Sequence, residues 1–172
     1  PRFCVTSSWR KSLLTVERGG HFVIENNILF ANDKKTIISY SDVNSEVYIP
    51  NFVTHIGDSA FSGCEKLASI TIPNSVIYIG HNAFSGCEKL TSIIIPNSVT
   101  YIGRNAFARK ISLTVERGGH FVMENNILFS SDKKKIIWYF DVNSEVCIPN
   151  SVTHIEGCAF KETVGFMQKI IY

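Results

Sequence analysis

Residues 49–71 read IPNFVTHIGDSAFSGCEKLASIT, and residues 72–94 read IPNSVIYIGHNAFSGCEKLTSII. The two blocks have the same 23-residue length and agree at 16 positions. A third block opens at Ile95 as IPNSVTYIGRNAF and a fourth at Ile148 as IPNSVTHIEGCAF. A repeat of this length is the signature of a stacked array, in which each unit buries its apolar side only against its neighbours. Within a unit, Leu67, Ile70 and Ile72 alternate with polar residues, the period of a half-buried strand. Pro73 ends that strand because it has no N–H to give a ladder. Asn74 and Ser75 favour a turn. Val76 and Ile79 predict a second short strand, Gly80 a positive-φ close, and Ala83 and Phe84 a turn of helix. Stacking then gives interior columns: Val53, Val76, Val99 and Val152; Ile56, Ile79, Ile102 and Ile155; and the aromatic spine Phe61, Phe84, Phe107 and Phe160. Glu156 stands where Gly57, Gly80 and Gly103 stand in the other units, so the last coil is expected to differ.

A longer repeat overlies the short one. Residues 11–51 match residues 110–150 at 32 of 41 positions, the mark of a segmental duplication. In each copy, apolar runs such as FVM, ILF and KIIWYF are separated by the turn clusters ENN and SSDKK, which predicts a small antiparallel meander. It is expected to pack on the side of the stack, with Trp138 and Phe140 as contacts. Both chain ends break the repeat, which reads as a piece of a longer array or as one with a degenerate last unit.

The 172 residues are 45% hydrophobic and 19% charged, which excludes a disordered chain. A net charge of +2 supplies no pull toward nucleic acid or an anionic membrane. Apolar runs are far too short to span a bilayer as a helix. No nucleophile–base arrangement, zinc spacing or phosphate-cradling loop is present, so no catalytic, metal or cofactor residue is assigned. The five histidines, two pairs of them duplicates, lack ligand spacing. Cys64 and Cys87 share a repeat position, but parallel Cβ vectors suit two small buried side chains better than a bridge. Lys133, Lys134 and Lys135 read as a solvated hairpin turn.

The motif LxxIxIPxxVxxIGxxAFxxCxx, nearly whole in residues 67–89 and again, with one shortened loop, in 90–113, resembles the BspA-like, or treponemal-type, leucine-rich repeats. The fold expected is a β-rich α/β solenoid: a right-handed superhelix of coils about 23 residues long, with two small antiparallel β-meander insertions. One array would run over 1–172, with a first strand and meander in 12–45, regular repeats in 46–115, a second meander in 116–144, and a last coil with an irregular C-terminus in 145–172. The resemblance implies a cell-surface or secreted protein linked with adhesion, whose partner would be a host matrix or cell-surface protein. The alternatives are a spacer or self-associating array with no specific ligand, and an intracellular scaffold.

One surface stands out as a candidate protein-binding face. Between the buried positions of the long strand, the outward residues run Leu13 and Thr15, Glu46 and Tyr48, Ser69 and Thr71, Ser92 and Ile94, Ser112 and Thr114, and Glu145 and Cys147. Six such strands would form one parallel sheet with hydroxyls and a stripe Tyr48–Thr71–Ile94–Thr114–Cys147. Solenoids use surfaces of this kind. Small and β-branched residues also simply suit an exposed strand.

Overall fold

In each unit the apolar alternation becomes a strand that buries one side. The computed structural model describes residues 20–108, 111–140 and 146–160. A hairpin and its third strand come first: β1 (Phe22–Glu25), β2 (Ile28–Ala31) and β3 (Thr36–Tyr40). Long and short strands then alternate: β4 (Glu46–Tyr48), β5 (His55–Ile56), β6 (Ser69–Thr71), β7 (Tyr78–Ile79), β8 (Ser92–Ile95), β9 (Tyr101–Ile102) and β10 (Ser112–Val115). A second antiparallel trio follows, β11 (Phe121–Glu124), β12 (Ile127–Ser130) and β13 (Lys135–Tyr139), and then β14 (His154–Ile155). The result is a β-solenoid of about six coils.

The short strands form one ladder in the order β1-β2-β3-β5-β7-β9, parallel from β3 onward. The second trio extends in the same manner into β14, as β11-β12-β13-β14. The two trios are therefore not set against the flank of the stack, as the sequence suggested. In each, the third strand occupies the short-strand place of a coil and carries the ladder onward.

The long strands differ from the single sheet expected. β4 pairs with β6, and β8 with β10, but β6 and β8 share no ladder among the described residues. Buried Val47, Ile70, Ile93 and Leu113 hold these strands in a column by packing. On an exposed face, water can satisfy the backbone groups left over.

No helix occurs among the described residues, so the α part of the expected α/β class is absent. The cause lies in the turn after each short strand. Ser59, Asn82 and Asn105 take φ values of 58°, 54° and 52°, the left-handed region, which stops a right-handed helix at once. The N–H groups that a helix would use internally point instead to the next coil. Those of Ser59, Phe61 and Gly63 donate to the carbonyls of His81, Ala83 and Ser85 at 2.8, 2.8 and 2.6 Å. Gly80 also works differently from the positive-φ close expected of it: it is not among the positive-φ positions, and its role is close approach between coils.

The core follows the columns. Val53, Val76 and Val99, and Ile56 and Ile79, have no exposed surface. The aromatic spine starts one coil earlier than expected, with Tyr40 against Phe61 at 5.4 Å, and then runs through Phe84 and Phe107 to Phe140. Phe160 does not continue it. It packs on Tyr139 at 5.4 Å, beside a second, smaller core of Ile127, Phe129, Ile136, Tyr139 and Ala159. Ile155 leaves the buried isoleucine column: it is 41% exposed, whereas Ile56 is 0% exposed. No described coil stacks on the far side of β14. Glu156 also brings a side chain to a position where the other coils have none.

A stack of this kind is longer than a sphere. Small-angle scattering should give a radius of gyration above about 15–16 Å, the value for a compact domain of this length. Far-ultraviolet circular dichroism should show strand and turn with little helix. A compact radius or a strong helical signal would contradict the stacked-coil fold.

Candidate functional site

Period-two alternation puts the first and third residues of each long strand on the outside. Glu46, Tyr48, Ser69, Thr71, Ser92, Ile94, Ser112, Thr114 and Cys147 are all exposed. Leu13, Thr15 and Glu145 lie outside the described residues. Register joins the stripe in two halves: Tyr48 sits opposite Thr71, and Ile94 opposite Thr114. Among hydroxyls, two large side chains project. Tyr48 is 70% exposed and Ile94 58% exposed, far more than most residues of their size in this chain. Scattered exposed apolar residues are ordinary; here the two most exposed large apolar side chains of the described residues lie on one stripe, two coils apart with Thr71 between them.

A shallow hollow of about 690 Å³ adjoins this stripe. Its walls are Tyr48, Thr71 and the proline-bearing turns Pro50–Asn51 and Pro73–Asn74 that end the long strands. Proline fixes φ, and the next valine closes each turn onto the proline carbonyl, with Val53 to Pro50 and Val76 to Pro73 at 3.0 Å. Turns held in this way give the hollow a fixed rim. Tyr48 thus stands between a flat strand face and a dent, the arrangement that lets an aromatic anchor a partner.

The opposite, short-strand side carries a second feature. His55, Tyr78 and Tyr101 hold the position before the buried isoleucine in successive coils and lie in register. Their rings form a column, with Tyr78 on Tyr101 at 4.7 Å and 7° between planes, and His55 on Tyr78 at 5.4 Å. Burial, aided by the Asp58 carboxylate, pushes the Tyr78 hydroxyl up from its ordinary value. His81 accepts the Arg104 N–H at Nδ1, 2.8 Å away, which leaves Nε2 to face the Tyr101 hydroxyl at 3.4 Å. These histidines are thus packed into rings and turns. Sequence reading missed the column because its first member is a histidine where the next two coils have tyrosine. Their shared position next to the isoleucine was the available signal.

The last coil holds a paired exchange. At the same 99-residue offset, Thr36 and Gly57 of the first part of the chain are replaced by Lys135 and Glu156, and these two form an ion pair. The hydrogen bond from Lys135 holds the Glu156 carboxyl below the usual range. A depressed carboxyl pKa adds stability above its unfolded value, and that stability is lost as pH falls through the folded one. Acidification should therefore loosen β14 first. Glu156→Gln should flatten that dependence, read against pH as exchange of the His154 amide and of the residue-156 amide, which donate to the Lys134 and Ile136 carbonyls.

No group of three or more His, Cys, Asp or Glu able to hold a metal occurs among the described residues. No helix among them is long and apolar enough to cross a membrane. What both faces offer chemically is contact surface.

Comparison with known proteins agrees with this geometry. Two solved structures are similar over 67% of the chain: the pneumococcal vaccine antigen PcpA, with 28% identity and a TM-score of 0.59, and a leucine-rich cell surface protein from Faecalibacterium prausnitzii A2-165, with 36% identity and a TM-score of 0.56. The chain covers 31% of the first and 32% of the second, so it spans about a third of their length. Comparison with curated proteins gives no match. The model of the BspA-type leucine-rich repeat region matches residues 35–163 in six copies, and the chain belongs to that family.

Proposed function

We propose that this chain is a non-enzymatic recognition module, and that the long-strand face binds a protein ligand as part of a cell-surface or secreted adhesive protein. The observation that carries the reading is the pair Tyr48 and Ile94, both exposed on one strand face, with Tyr48 also at the wall of a hollow with rigid turns. Leaving large apolar side chains in water gives the fold nothing, and burying them in an interface recovers their transfer free energy. The surface location is supported by the naming of one similar structure as a cell surface protein. Host matrix or host cell-surface protein is the partner class that follows from an adhesive role.

Immobilised extracellular-matrix proteins and intact epithelial cells are the probes. Ile94→Arg and Tyr48→Arg should each reduce binding by about tenfold or more. Both should leave thermal stability nearly unchanged, within roughly 0.5 kcal/mol, as exposed positions allow. If both variants bind as well as the parent does, the strand face is not the site, and an array without a ligand on this face becomes the better description.

A further inference from the structure

The ladder of short strands is interrupted after β9, and the interruption leaves a specific set of hydrogen-bonding groups open. In the regular coils each rung repeats the same pattern. The Thr54 carbonyl receives the N–H groups of Ile77 and Tyr78, and the Ile56 carbonyl receives that of Gly80. One coil on, the Ile77 carbonyl receives Thr100 and Tyr101, and the Ile79 carbonyl receives Gly103. The next acceptors in this series are the carbonyls of Thr100 and Ile102. Neither receives an N–H among the described residues, because β9 is the last strand of its sheet. Tyr101 turns its own N–H toward β7, where the Ile77 carbonyl accepts it at 3.3 Å. In a parallel ladder, alternate residues face opposite ways, so the Ile102 N–H points outward with the two carbonyls. The open edge therefore presents two acceptors and, between them, one donor.

This edge opens into a crevice of about 310 Å³. Tyr101, Ile102 and Arg104 line one side, and Ile137, Glu156 and Cys158 line the other. Tyr101 is the last ring of the aromatic column, and it is 40% exposed. Unpaired edges are usually blunted by proline, by an inward charge or by a covering element. Thr100, Tyr101 and Ile102 carry no proline and no charge; the edge is protected only by its shortness and by the far wall of the crevice, which stands off from it.

We propose that the crevice binds an extended peptide segment of a partner protein by strand addition to β9, with the peptide N–H groups donating to Thr100 and Ile102 and a peptide carbonyl accepting from Ile102. Backbone chemistry selects this occupant. Only an extended chain offers donors and an acceptor at the spacing of a ladder, since a helix has used its own. A nucleic acid would need several cations, and Arg104 is the one lysine or arginine among the described residues lining the crevice. A second copy pairing through the same edge would bring only its own two-residue β9, whereas a free extended peptide can also run along the crevice and place a side chain between Tyr101 and Ile137. The peptide residue between Tyr101 and Ile137 would be apolar or aromatic and uncharged. The site is separate from the long-strand face and does not depend on it.

Two measurements test this. In the free protein the Ile102 amide should exchange hydrogen much faster than the amides of Ile56 and Ile79, its mates inside the ladder. A phage-displayed library of short unstructured peptides is then panned on the chain. Isolates should slow exchange at Ile102 and should lose about tenfold or more in affinity for Arg104→Trp, which fills the crevice while leaving the backbone bonds of residue 104 to His81 and Asn82 in place. They should bind Tyr48→Arg as they bind the parent. Slow exchange at Ile102 in the free protein, isolates that are lost with Tyr48→Arg but kept by Arg104→Trp, or self-association that Arg104→Trp abolishes would each overturn the proposal.

Discussion

Phe84→Ala is expected to lower the unfolding free energy by about 3–5 kcal/mol, the usual cost of emptying a buried aromatic site. Phe84 has no exposed surface and lies in the middle of the ring column. Phe61 stacks on one face at 5.3 Å and Phe107 on the other at 6.2 Å, with 15° and 2° between planes. Its backbone N–H also donates to the Ala106 carbonyl at 2.7 Å, so neighbouring coils are locked above and below the cavity and cannot close onto it. A domain of this size has roughly 5–15 kcal/mol in total, so urea denaturation should show a large drop in midpoint. Because each coil contacts only its neighbours, the loss should be concentrated in the coils of β5, β7 and β9. Phe84→Leu keeps most of the volume and should cost much less. A midpoint unchanged by Phe84→Ala would mean that the ring column does not hold the stack.

How much of this was legible in the sequence follows from what a repeat can encode. Val53, Val76 and Val99 announced themselves as a column because the same residue returned at each 23-residue step. The outward placement of Tyr48 and Ile94 followed from strand alternation alone. The turn after each short strand was misread. Ala83 and Phe84 look like the start of a helix, but the conformation is decided one residue earlier, at Asn82, whose φ of 54° sends the next N–H groups to the adjacent coil. That choice is made by stacking and not by local propensity. The place of β3 and β13 in the ladder was hidden for the same reason, since strand pairing across coils leaves no mark in a single segment. Ile155 was read as buried from its column, yet burial needs a coil beyond it as well as the right residue. The crevice at β9 lies between that strand and residues of β13 and the last coil, a long-range arrangement that no motif records.

Gly80→Ala is expected to destabilise the chain by about 1–3 kcal/mol, through overpacking and not through backbone strain. A Cβ built on Gly80 would lie 2.5 Å from the Asp58 carboxylate, 2.6 Å from the Asp58 backbone nitrogen and 2.7 Å from the Gly57 carbonyl carbon. Asp58 could swing its carboxylate away, but the other two atoms are backbone of the preceding coil. That coil is in turn fixed, because the Gly80 N–H donates to the Ile56 carbonyl at 2.8 Å and the Asp58 carboxylate accepts the His81 N–H at 2.8 Å. Making room would stretch the hydrogen bonds that set the coil spacing. Gly103 meets the same wall one coil on, with a Cβ 2.5 Å from the His81 nitrogen, so the constraint belongs to the repeat and not to one residue. Gly157→Ala is the control: a Cβ there meets nothing within 4 Å, and the change should be neutral or stabilising by up to about 1 kcal/mol. Thermal unfolding of the two variants side by side separates the explanations. If both glycines lose stability alike, glycine acts here through the freedom of its backbone; if only Gly80→Ala loses it, the missing Cβ is what lets the coils close up.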